Sequence, residues 1–327
     1  MMELVRQVFL GYTRATYMRE VRAIIVASRP RQWLKNFLLF VPIVFGGQLF
    51  NFPAFSAVIT GFIAFCLLSS SNYIINDILD AERDRRHPYK RNRPVARRDL
   101  PEGQALAVAL VLLAGGTAIS YVIGISFFLS ACTFVLLHWL LYFFFRTVSV
   151  VDVLAIASGY VLRTVAGEAA SGIHISVWLF LAVLSFSLLL AIGKRRVELS
   201  FIQEHGRKSD DEGMSDEFRY SERLLDAYIA VFGNATFLTY AYFTFLVAPE
   251  STGIFFRGTD LALGWIGRKW MMITIPPALY SIMRYLQLVY SVKEGMLEKI
   301  ITNDKPLVIA VAVWAIAILF VVYGIGR

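Results

Sequence analysis

Charged side chains are scarce in this sequence. Asp, Glu, Lys and Arg make up 17% of its 327 residues, whereas an average soluble domain carries about 25%. Two long runs, residues 36–76 and 104–145, contain none of the four, and each is long enough for two membrane-spanning helices of about 20 residues. The scarcity of charge therefore excludes a soluble enzyme, a secreted protein and a disordered chain. It predicts an all-α, polytopic integral membrane protein.

Cysteine is scarce as well, because only Cys66 and Cys132 are present and both lie in apolar runs. A disulfide framework needs more cysteines in oxidising loops, so we interpret both as small hydrophobic groups packed among helices. The sequence also lacks linkers and low-complexity stretches, which predicts one membrane-embedded domain over residues 1–327. A cleavable signal peptide is not expected, since the first apolar run is itself a span. It follows a basic cytoplasmic or interfacial segment, residues 1–35.

Turn residues divide the apolar sequence into nine predicted helices, with boundary errors of about two to four residues. The predicted helices cover residues 36–50, 54–79, 104–122, 126–145, 150–170, 176–198, 226–248, 270–289 and 306–323. If the N-terminus is cytoplasmic, 27 of the 32 Lys and Arg residues fall in cytoplasmic segments, which satisfies the positive-inside rule. This topology also explains the net charge of +8 without a nucleic-acid partner.

The second predicted helix ends in an acidic cluster. At 100° per residue, Asp77, Asp80 and Asp84 lie on one helix face. Like charges at this spacing repel each other and are costly to desolvate near a membrane, so a cation would stabilise them. Hard oxygen ligands suit Mg²⁺, which binds through carboxylates together with substrate phosphates. The alternative is a solvated helix end whose counter-charges are the neighbouring arginines.

A basic segment follows directly, with eight Lys and Arg residues from Arg83 to Arg98. Carboxylates that hold a cation, beside Arg and Lys side chains that hold oxygens, are the arrangement for Mg²⁺ with a polyphosphate. The alternative is a basic cytoplasmic loop that serves topology and attracts anionic lipid. We expect the phosphate contacts to lie nearest Asn92-Arg93-Pro94.

The acidic cluster and the basic segment together resemble a family motif. They are similar to the first Asp-rich motif of the UbiA prenyltransferase superfamily in Asn76-Asp77, Asp80, Asp84, Lys90-Arg91 and Arg93-Pro94. The resemblance implies an intramembrane bundle of nine helices that uses Mg²⁺ and a diphosphate substrate. It implies that the three aspartates bind the metal and that substrate is bound by Asn76, Lys90, Arg91 and Arg93.

The segment after the sixth predicted helix distinguishes two branches of that superfamily. Members that use prenyl diphosphates carry a second Asp-rich motif there, whereas this sequence has the basic run Gly193-Lys194-Arg195-Arg196 and one acid, Glu198. This run, with residues 28–36 and 158–167, resembles the decaprenyl-phosphate phosphoribosyltransferase branch. The resemblance implies transfer of 5-phosphoribose from phosphoribosyl pyrophosphate (PRPP) to a polyprenyl phosphate, with release of pyrophosphate. That reaction would be an early step toward polyprenyl-phosphate arabinose donors.

The resemblance also implies roles for individual residues. The catalytic residues would be Asp77, Asp80 and Lys194. Mg²⁺ and carboxylates would stabilise the charge that grows on the leaving pyrophosphate, and a lipid phosphate needs no strong general base to attack. Lys194 and Arg195 would bind the sugar 5-phosphate or the lipid phosphate. Further substrate contacts are expected from Lys35, Asn36 and Arg163.

Several polar residues have simpler explanations. The stretch that contains Arg29 and Trp33 is typical of an interfacial anchor. Arg163 lies inside a predicted span, which makes it a functional candidate, and its alternative role is an internal pair with Glu168 or with another helix. Asp152 opens a predicted helix, where an acid complements the helix dipole. The four histidines lack ligand spacing, and we interpret them as incidental.

Two other functions are alternatives to the phosphoribosyl transfer. One is a UbiA-type prenyltransferase that moves an isoprenyl group from its diphosphate to an aromatic or other acceptor, against which the basic run at 193–196 argues. The other is a transporter, but no inverted repeat with broken helices is evident. The expected location is a bacterial inner membrane, with the active site facing the cytoplasm. The expected partners are the two substrates and membrane lipid, and the sequence allows a homo-oligomer.

Overall fold

The computed structural model describes residues 18–86, 90–145, 150–206, 220–246, 267–291 and 301–325. Within these ranges the chain is helical and contains no β-strand, which confirms the all-α class. The α-helices are α1 (residues 18–27), α2 (Val41–Phe45), α3 (Phe52–Leu79), α4 (Ala81–Arg86), α5 (Glu102–Ile123), α6 (Ile125–Leu140), α7 (Val151–Ser171), α8 (Val177–Gly206), α9 (Glu222–Leu246), α10 (Ile275–Ser291) and α11 (Lys305–Leu319).

Seven helical segments in the described ranges are long and apolar enough to cross a membrane. Helices suit this setting because each one satisfies its own backbone N–H and C=O groups. Each segment matches one predicted helix, and the largest difference is at α8, which continues to Gly206 instead of ending at 198. The seven segments are Phe52–Leu79, Glu102–Ile123, Ile125–Phe144, Val151–Ser171, Val177–Ser200, Glu222–Leu246 and Lys305–Gly324.

The first predicted helix, residues 36–50, is not one continuous helix. A 3-10 helix (Pro30–Phe40) leads into α2, which has only five residues. Proline at position 42 lacks an N–H, and Gly47 adopts φ 69° in the left-handed region that glycine favours. The prediction is wrong here because a charge-free run was interpreted as a single span.

The eighth predicted helix, residues 270–289, is also composite. A 3-10 helix (Gly267–Thr274) precedes α10, which has 17 residues and carries Pro276 and Pro277 in its first turn. The proline ring clashes with the carbonyl one turn earlier, so the α-helix does not extend further toward the N-terminus. The count of nine continuous spans is therefore not confirmed.

The described chain forms two compact units. The first contains residues 18–39 and 56–136, and the second contains residues 40–55 and the described residues from 137 onward. Each unit has its own buried hydrophobic core. The single membrane domain expected over residues 1–327 stays a prediction.

Small side chains allow close helix packing in the first unit, as is common between membrane helices. The hydroxyl of Ser71 on α3 donates a hydrogen bond of 2.8 Å to the carbonyl of Ala109 on α5. At Gly116 of α5, an added Cβ would lie 2.8 Å from Leu68 Cγ on α3. The two helices therefore approach each other more closely than a larger side chain would permit.

A buried apolar cluster of the first unit lies around the acidic end of α3. It joins α1, the last turns of α3 and the segment that follows Arg93. Burial of this surface fixes the acidic end of α3 against the basic segment. Its members include Ala23, Ala27, Ile74, Ala81, Val95 and Leu100.

In the second unit α8 packs against α7, α9 and α10. The tightest contact involves Gly193 of α8 and Tyr285 of α10. A Cβ added at Gly193 would lie 2.0 Å from Tyr285 Oη and 2.9 Å from Tyr285 Cζ. Tyr285 is buried in the same core as Leu189 and Val289, so its ring has little room to move.

We expect Gly193→Ala to lower the melting temperature of the purified protein in detergent. Overpacking of a well-packed core costs about 1–3 kcal/mol. Gly233→Ala on α9 is the matched control, because the nearest atom to its added Cβ is Leu189 Cδ1 at 3.9 Å and alanine favours helix. Thermal unfolding followed by tryptophan fluorescence measures both variants. Equal melting temperatures for the two would contradict the packing around Gly193.

Candidate active site

Asp80 is the single turn residue between α3 and α4. The N–H of Asp80 donates to the carbonyl of Asn76 (2.9 Å), and the N–H of Asp84 donates to the carbonyl of Asp80 (2.8 Å). These bonds join residues four positions apart and so keep the helical path through the junction. Asp77 and Asp84 therefore face the same side, as the spacing predicts, and Asp80 is half-buried in the turn.

The carboxylates of Asp77 and Asp84, the acidic pair, converge on one guanidinium group. Arg93 Nη1 lies 2.6 Å from Asp84 Oδ2 and 3.2 Å from Asp77 Oδ1. A second guanidinium also contacts the pair, with Arg29 Nη2 at 2.5 Å from Asp77 Oδ1. Asp77 is 1% exposed and Asp84 is 2% exposed. Two buried negative charges are thus balanced by two arginines, as buried charges require.

Arg29 reaches the acidic pair from a tight turn that follows α1. Its backbone adopts φ 51°, which is uncommon for a residue other than glycine. The turn is held to α3 because Ser70 Oγ donates to the carbonyl of Ser28 (3.0 Å) and accepts from Trp33 Nε1 (3.0 Å). The interfacial-anchor interpretation of Arg29 and Trp33 did not include these partners on α3.

Asn36 lies in the interior of the first unit. It is fully buried, and its Nδ2 donates to Cys66 Sγ on α3 at 3.2 Å. Cys66 is buried and forms no disulfide, which confirms its interpretation as a packed group. A substrate contact of Asn36 stays a prediction.

The other predicted substrate residues of the first unit are more accessible. Lys35 and Asn76 are half-buried. Lys90 and Arg91 lie in a short 3-10 helix (Lys90–Asn92), where Lys90 is half-buried and Arg91 is exposed. Arg93 is the predicted substrate residue that the structure brings into contact with the acidic pair.

The acidic pair contains two of the three predicted metal ligands. In the described part of the chain, no group of three or more His, Cys, Asp or Glu side chains is already gathered into a metal site. The chemistry of the pair nevertheless fits Mg²⁺, because two buried carboxylates direct hard oxygen atoms at a single positive nitrogen. Metal binding by Asp77, Asp80 and Asp84 together stays a prediction.

The second unit holds an ionic cluster between α7 and α8. Arg195 Nε lies 2.5 Å from Asp152 Oδ2, and Arg195 Nη1 lies 2.5 Å from Glu198 Oε2. Asp152 occupies the first turn of α7, where the helix-dipole interpretation places it. The structure adds that the same carboxylate holds Arg195. This predicted phosphate ligand is therefore oriented by two acids.

Tyr220 completes this cluster. Its hydroxyl donates to Asp152 Oδ1 and accepts from the N–H of Val150. Val150 adopts φ 73°, a rare conformation for a β-branched residue. Burial and then the hydrogen bond with Asp152 raise the pKa of Tyr220 above its usual value. The hydroxyl is therefore protonated at neutral pH and acts as a donor to Asp152.

Arg163 of α7 is a buried cation of the second unit. It is only 5% exposed, and its guanidinium donates to a backbone carbonyl one turn earlier. Glu168, the partner considered for Arg163, contacts His174 at 2.5 Å. The interpretation of the histidines as incidental stays a prediction.

Sequence reasoning missed one partner in each cluster, Arg29 and Tyr220, because each is far in the chain from the aspartate that it contacts. Arg29 and Asp77 are separated by 48 residues, and Tyr220 and Asp152 by 68. No helical spacing rule links such pairs. Only a weak indication of these clusters is visible in the sequence. Charged residues to which no role was assigned lie at the ends of predicted spans, and Glu198 is one of them.

The helices and the buried acidic pair define a multi-pass membrane protein with a charged polar site at the end of a long helix. The model of the UbiA prenyltransferase family matches residues 39–299. The chain therefore belongs to the UbiA prenyltransferase family.

Curated relatives match nearly the whole chain. Decaprenyl-phosphate phosphoribosyltransferase of Corynebacterium glutamicum is 31% identical over 303 residues, which are 91% of this chain and 86% of that protein. The protein of the same name from Mycolicibacterium smegmatis is 31% identical over 303 residues, 90% of each chain. Among solved structures, a UbiA homolog from Archaeoglobus fulgidus bound to GPP and Mg²⁺ aligns with a TM-score of 0.60 at 17% identity. That alignment covers 93% of this chain and 99% of the homolog and shows a shared fold.

We expect Asp152→Asn to destabilise the second unit. The side chain of Asp152 is 12% exposed, and hydrogen bonds to charged groups contribute about 1.5–3 kcal/mol. Arg195 would keep its charge and lose one of its acids, so the melting temperature should fall. Glu102→Gln is the control, since its pair with Arg85 (3.1 Å) leaves Glu102 55% exposed and exposed pairs contribute about 0–1 kcal/mol. Equal shifts in thermal unfolding would contradict the described role of Asp152.

Proposed function

We propose that this protein transfers 5-phosphoribose from PRPP to a polyprenyl phosphate and releases pyrophosphate, with Mg²⁺ as its cofactor. The observation that carries the proposal is the identity of 31% with two decaprenyl-phosphate phosphoribosyltransferases over about nine-tenths of this chain. Sequence similarity along nearly the whole chain supports a shared reaction, whereas a shared fold alone does not.

The first unit supplies groups suited to the pyrophosphate end of PRPP. Asp77, Asp80 and Asp84 would hold Mg²⁺, which when bound supplies positive charge to the leaving pyrophosphate. The guanidinium groups of Arg29 and Arg93 would bind phosphate oxygens in the forked geometry that arginine provides. Lys90 and Arg91 lie in the segment before Arg93 and would add further contacts.

The reaction then requires positioning more than proton transfer. The bond between ribose C1 and the pyrophosphate oxygen breaks, and its electron pair leaves with pyrophosphate. A lipid phosphate oxygen forms the new bond to C1. Because that oxygen is already anionic, the chain needs to orient the two substrates and stabilise charge.

The second unit supplies cations for a phosphomonoester, which is either the 5-phosphate of PRPP or the lipid phosphate. Lys194 contacts Glu198 only loosely, at 3.9 Å, and its side chain is 39% exposed. Arg195 is oriented by Asp152 and Glu198. Arg163 brings a buried positive charge to the same unit, where it would attract an anion.

The proposal includes a location and partners. The bias of Lys and Arg toward one set of loops supports a cytoplasmic N-terminus and an active site that opens to the cytoplasm of a bacterial inner membrane. Membrane lipid would surround the spans, and Lys35 and Asn36 would lie near the lipid phosphate or the pyrophosphate. The product would serve as an early intermediate toward polyprenyl-phosphate pentose donors.

A prenyltransferase is the second candidate. The observation in its favour is that the Archaeoglobus fulgidus homolog, which shares the fold, was solved with GPP and with DMAPP, each with Mg²⁺. The basic run at Lys194-Arg195-Arg196 argues against this candidate, because a second diphosphate-metal site would favour acids at that place.

A direct assay distinguishes the two candidates. Purified protein in lipid is given Mg²⁺ and either ribose-labelled PRPP with polyprenyl phosphate, or labelled prenyl diphosphate with an aromatic acid. We expect label to enter the lipid fraction from PRPP, and pyrophosphate to appear in equal amount. Product from the prenyl diphosphate mixture alone would contradict the proposal.

The acidic cluster is tested by isosteric substitution in the same assay. We expect Asp77→Asn and Asp80→Asn to reduce turnover by about 100-fold or more, because the leaving pyrophosphate would lose its charge stabilisation. Glu82→Gln is the matched control, since Glu82 lies on α4 but is exposed. Turnover near the wild-type rate in either aspartate variant, with normal melting temperature, would contradict the metal role.

A further inference from the structure

One nitrogen atom of Arg93 contacts both carboxylates of the acidic pair. Nη1 lies 2.6 Å from Asp84 Oδ2 and 3.2 Å from Asp77 Oδ1. Arg29 differs because its contact, at 2.5 Å, is with Asp77. Arg93 thus places a positive charge at the point on which the two carboxylate oxygens converge. A divalent cation shared by the pair would need that same point.

We infer that Arg93 holds the place of the divalent cation in the metal-free protein and exchanges with it. When the cation binds the acidic pair, the Arg93 guanidinium leaves the carboxylates and becomes a ligand for the diphosphate. The inference rests on the metal site of the proposed function and adds a positioning role for this residue.

Burial explains why such an exchange is needed. Asp77 and Asp84 are almost completely buried, and a buried carboxylate without a positive partner is strongly destabilising. The metal-free protein therefore needs a resident cation. The Arg93 side chain is itself 26% exposed, so it has an open side into which it can turn.

The position of Arg93 in the chain also suits movement. It follows the short 3-10 helix Lys90–Asn92 and precedes Pro94. The backbone beyond it is anchored, because Val95 and Leu100 are buried in the core of the first unit. A change at Arg93 can therefore be confined to its long side chain, which has several rotatable bonds.

The exchange predicts opposite effects of one substitution on two ligands. In Arg93→Gln, the cation no longer competes with a guanidinium, so we expect Mn²⁺ to bind about tenfold more tightly without diphosphate. In the presence of Mn²⁺, pyrophosphate should bind about tenfold more weakly, because its guanidinium ligand is lost. A purely structural role for Arg93 would weaken both.

Two matched variants separate exchange from a general effect of charge. Arg29→Gln also removes one positive charge beside Asp77 but leaves Arg93 between the carboxylates, so Mn²⁺ affinity should rise less than in Arg93→Gln. Arg85→Gln removes a charge from α4 that pairs with Glu102, and it should change Mn²⁺ affinity less than twofold. Electron paramagnetic resonance of free and bound Mn²⁺ measures these affinities in the full-length protein in detergent. Unchanged or weaker Mn²⁺ binding in Arg93→Gln would overturn the inference.

A measurement on the wild-type chain guards against misfolding of the Arg93 variant. Phenylglyoxal modifies accessible arginines, and peptide mass spectrometry reports each site. We expect Mn²⁺ alone to accelerate modification of Arg93 severalfold and Mn²⁺ with pyrophosphate to suppress it, while the rate at Arg85 stays constant. An Arg93 rate that does not respond to Mn²⁺ would also overturn the inference. If Mn²⁺ acts as expected but label from PRPP does not reach lipid, the proposed function fails and the exchange stands.

Discussion

The charge balance around Asp77 and Asp84 is the constraint on which the first unit depends. Asp77 is buried at the end of the long apolar helix α3 and Asp84 is buried on the short helix α4 that follows, and an unpaired buried charge is strongly unfavourable. The turn after α1 brings Arg29 to them, and the segment after α4 brings Arg93. The apolar cluster of α1, α3 and the segment beyond Arg93 holds both arginines in reach. The packing of this unit therefore places two arginines where the buried carboxylates of Asp77 and Asp84 need positive charge.

In the second unit the charges are reversed, because acidic side chains hold positively charged ones. Here the residues of interest are positive, and Asp152 and Glu198 hold Arg195 in place. Lys194 is bound less tightly, which leaves it suited to an incoming anion. The carboxylates and arginines of the first unit are groups that suit a cation with a diphosphate, and the cations of the second unit are groups that suit a phosphomonoester. The basic run Lys194-Arg195-Arg196 therefore favours the proposed phosphoribosyl transfer over transfer of an isoprenyl group from its diphosphate to an aromatic or other acceptor.

Charge and spacing predicted much of this arrangement. The all-α class and seven of the nine predicted helices followed from runs with little or no charge and from the turn residues between them, since a span is predominantly apolar. The shared face of Asp77 and Asp84 followed from helical periodicity, which persists across the turn at Asp80. The predictions were wrong for the first and eighth helices, because apolar composition does not register the local effect of Pro42 or Pro276.

Ion pairs between residues far apart in the chain could not be predicted either, because they depend on how the helices pack. Arg29 carries no sequence pattern that connects it with the acidic pair, and its contact depends on how α1 packs on α3. Family resemblance supplied the role of Arg93 as a substrate residue, but its contact with both carboxylates came only from the structure.

The proposed chemistry of the first unit requires that Asp77 and Asp84 bind a divalent cation. An anomalous difference map from crystals soaked in Mn²⁺ would locate that cation. We expect a peak about 2.1 Å from carboxylate oxygens of both Asp77 and Asp84, with the Arg93 guanidinium displaced from between them. A map in which Arg93 still bridges the two carboxylates and the Mn²⁺ peak lies elsewhere would contradict it.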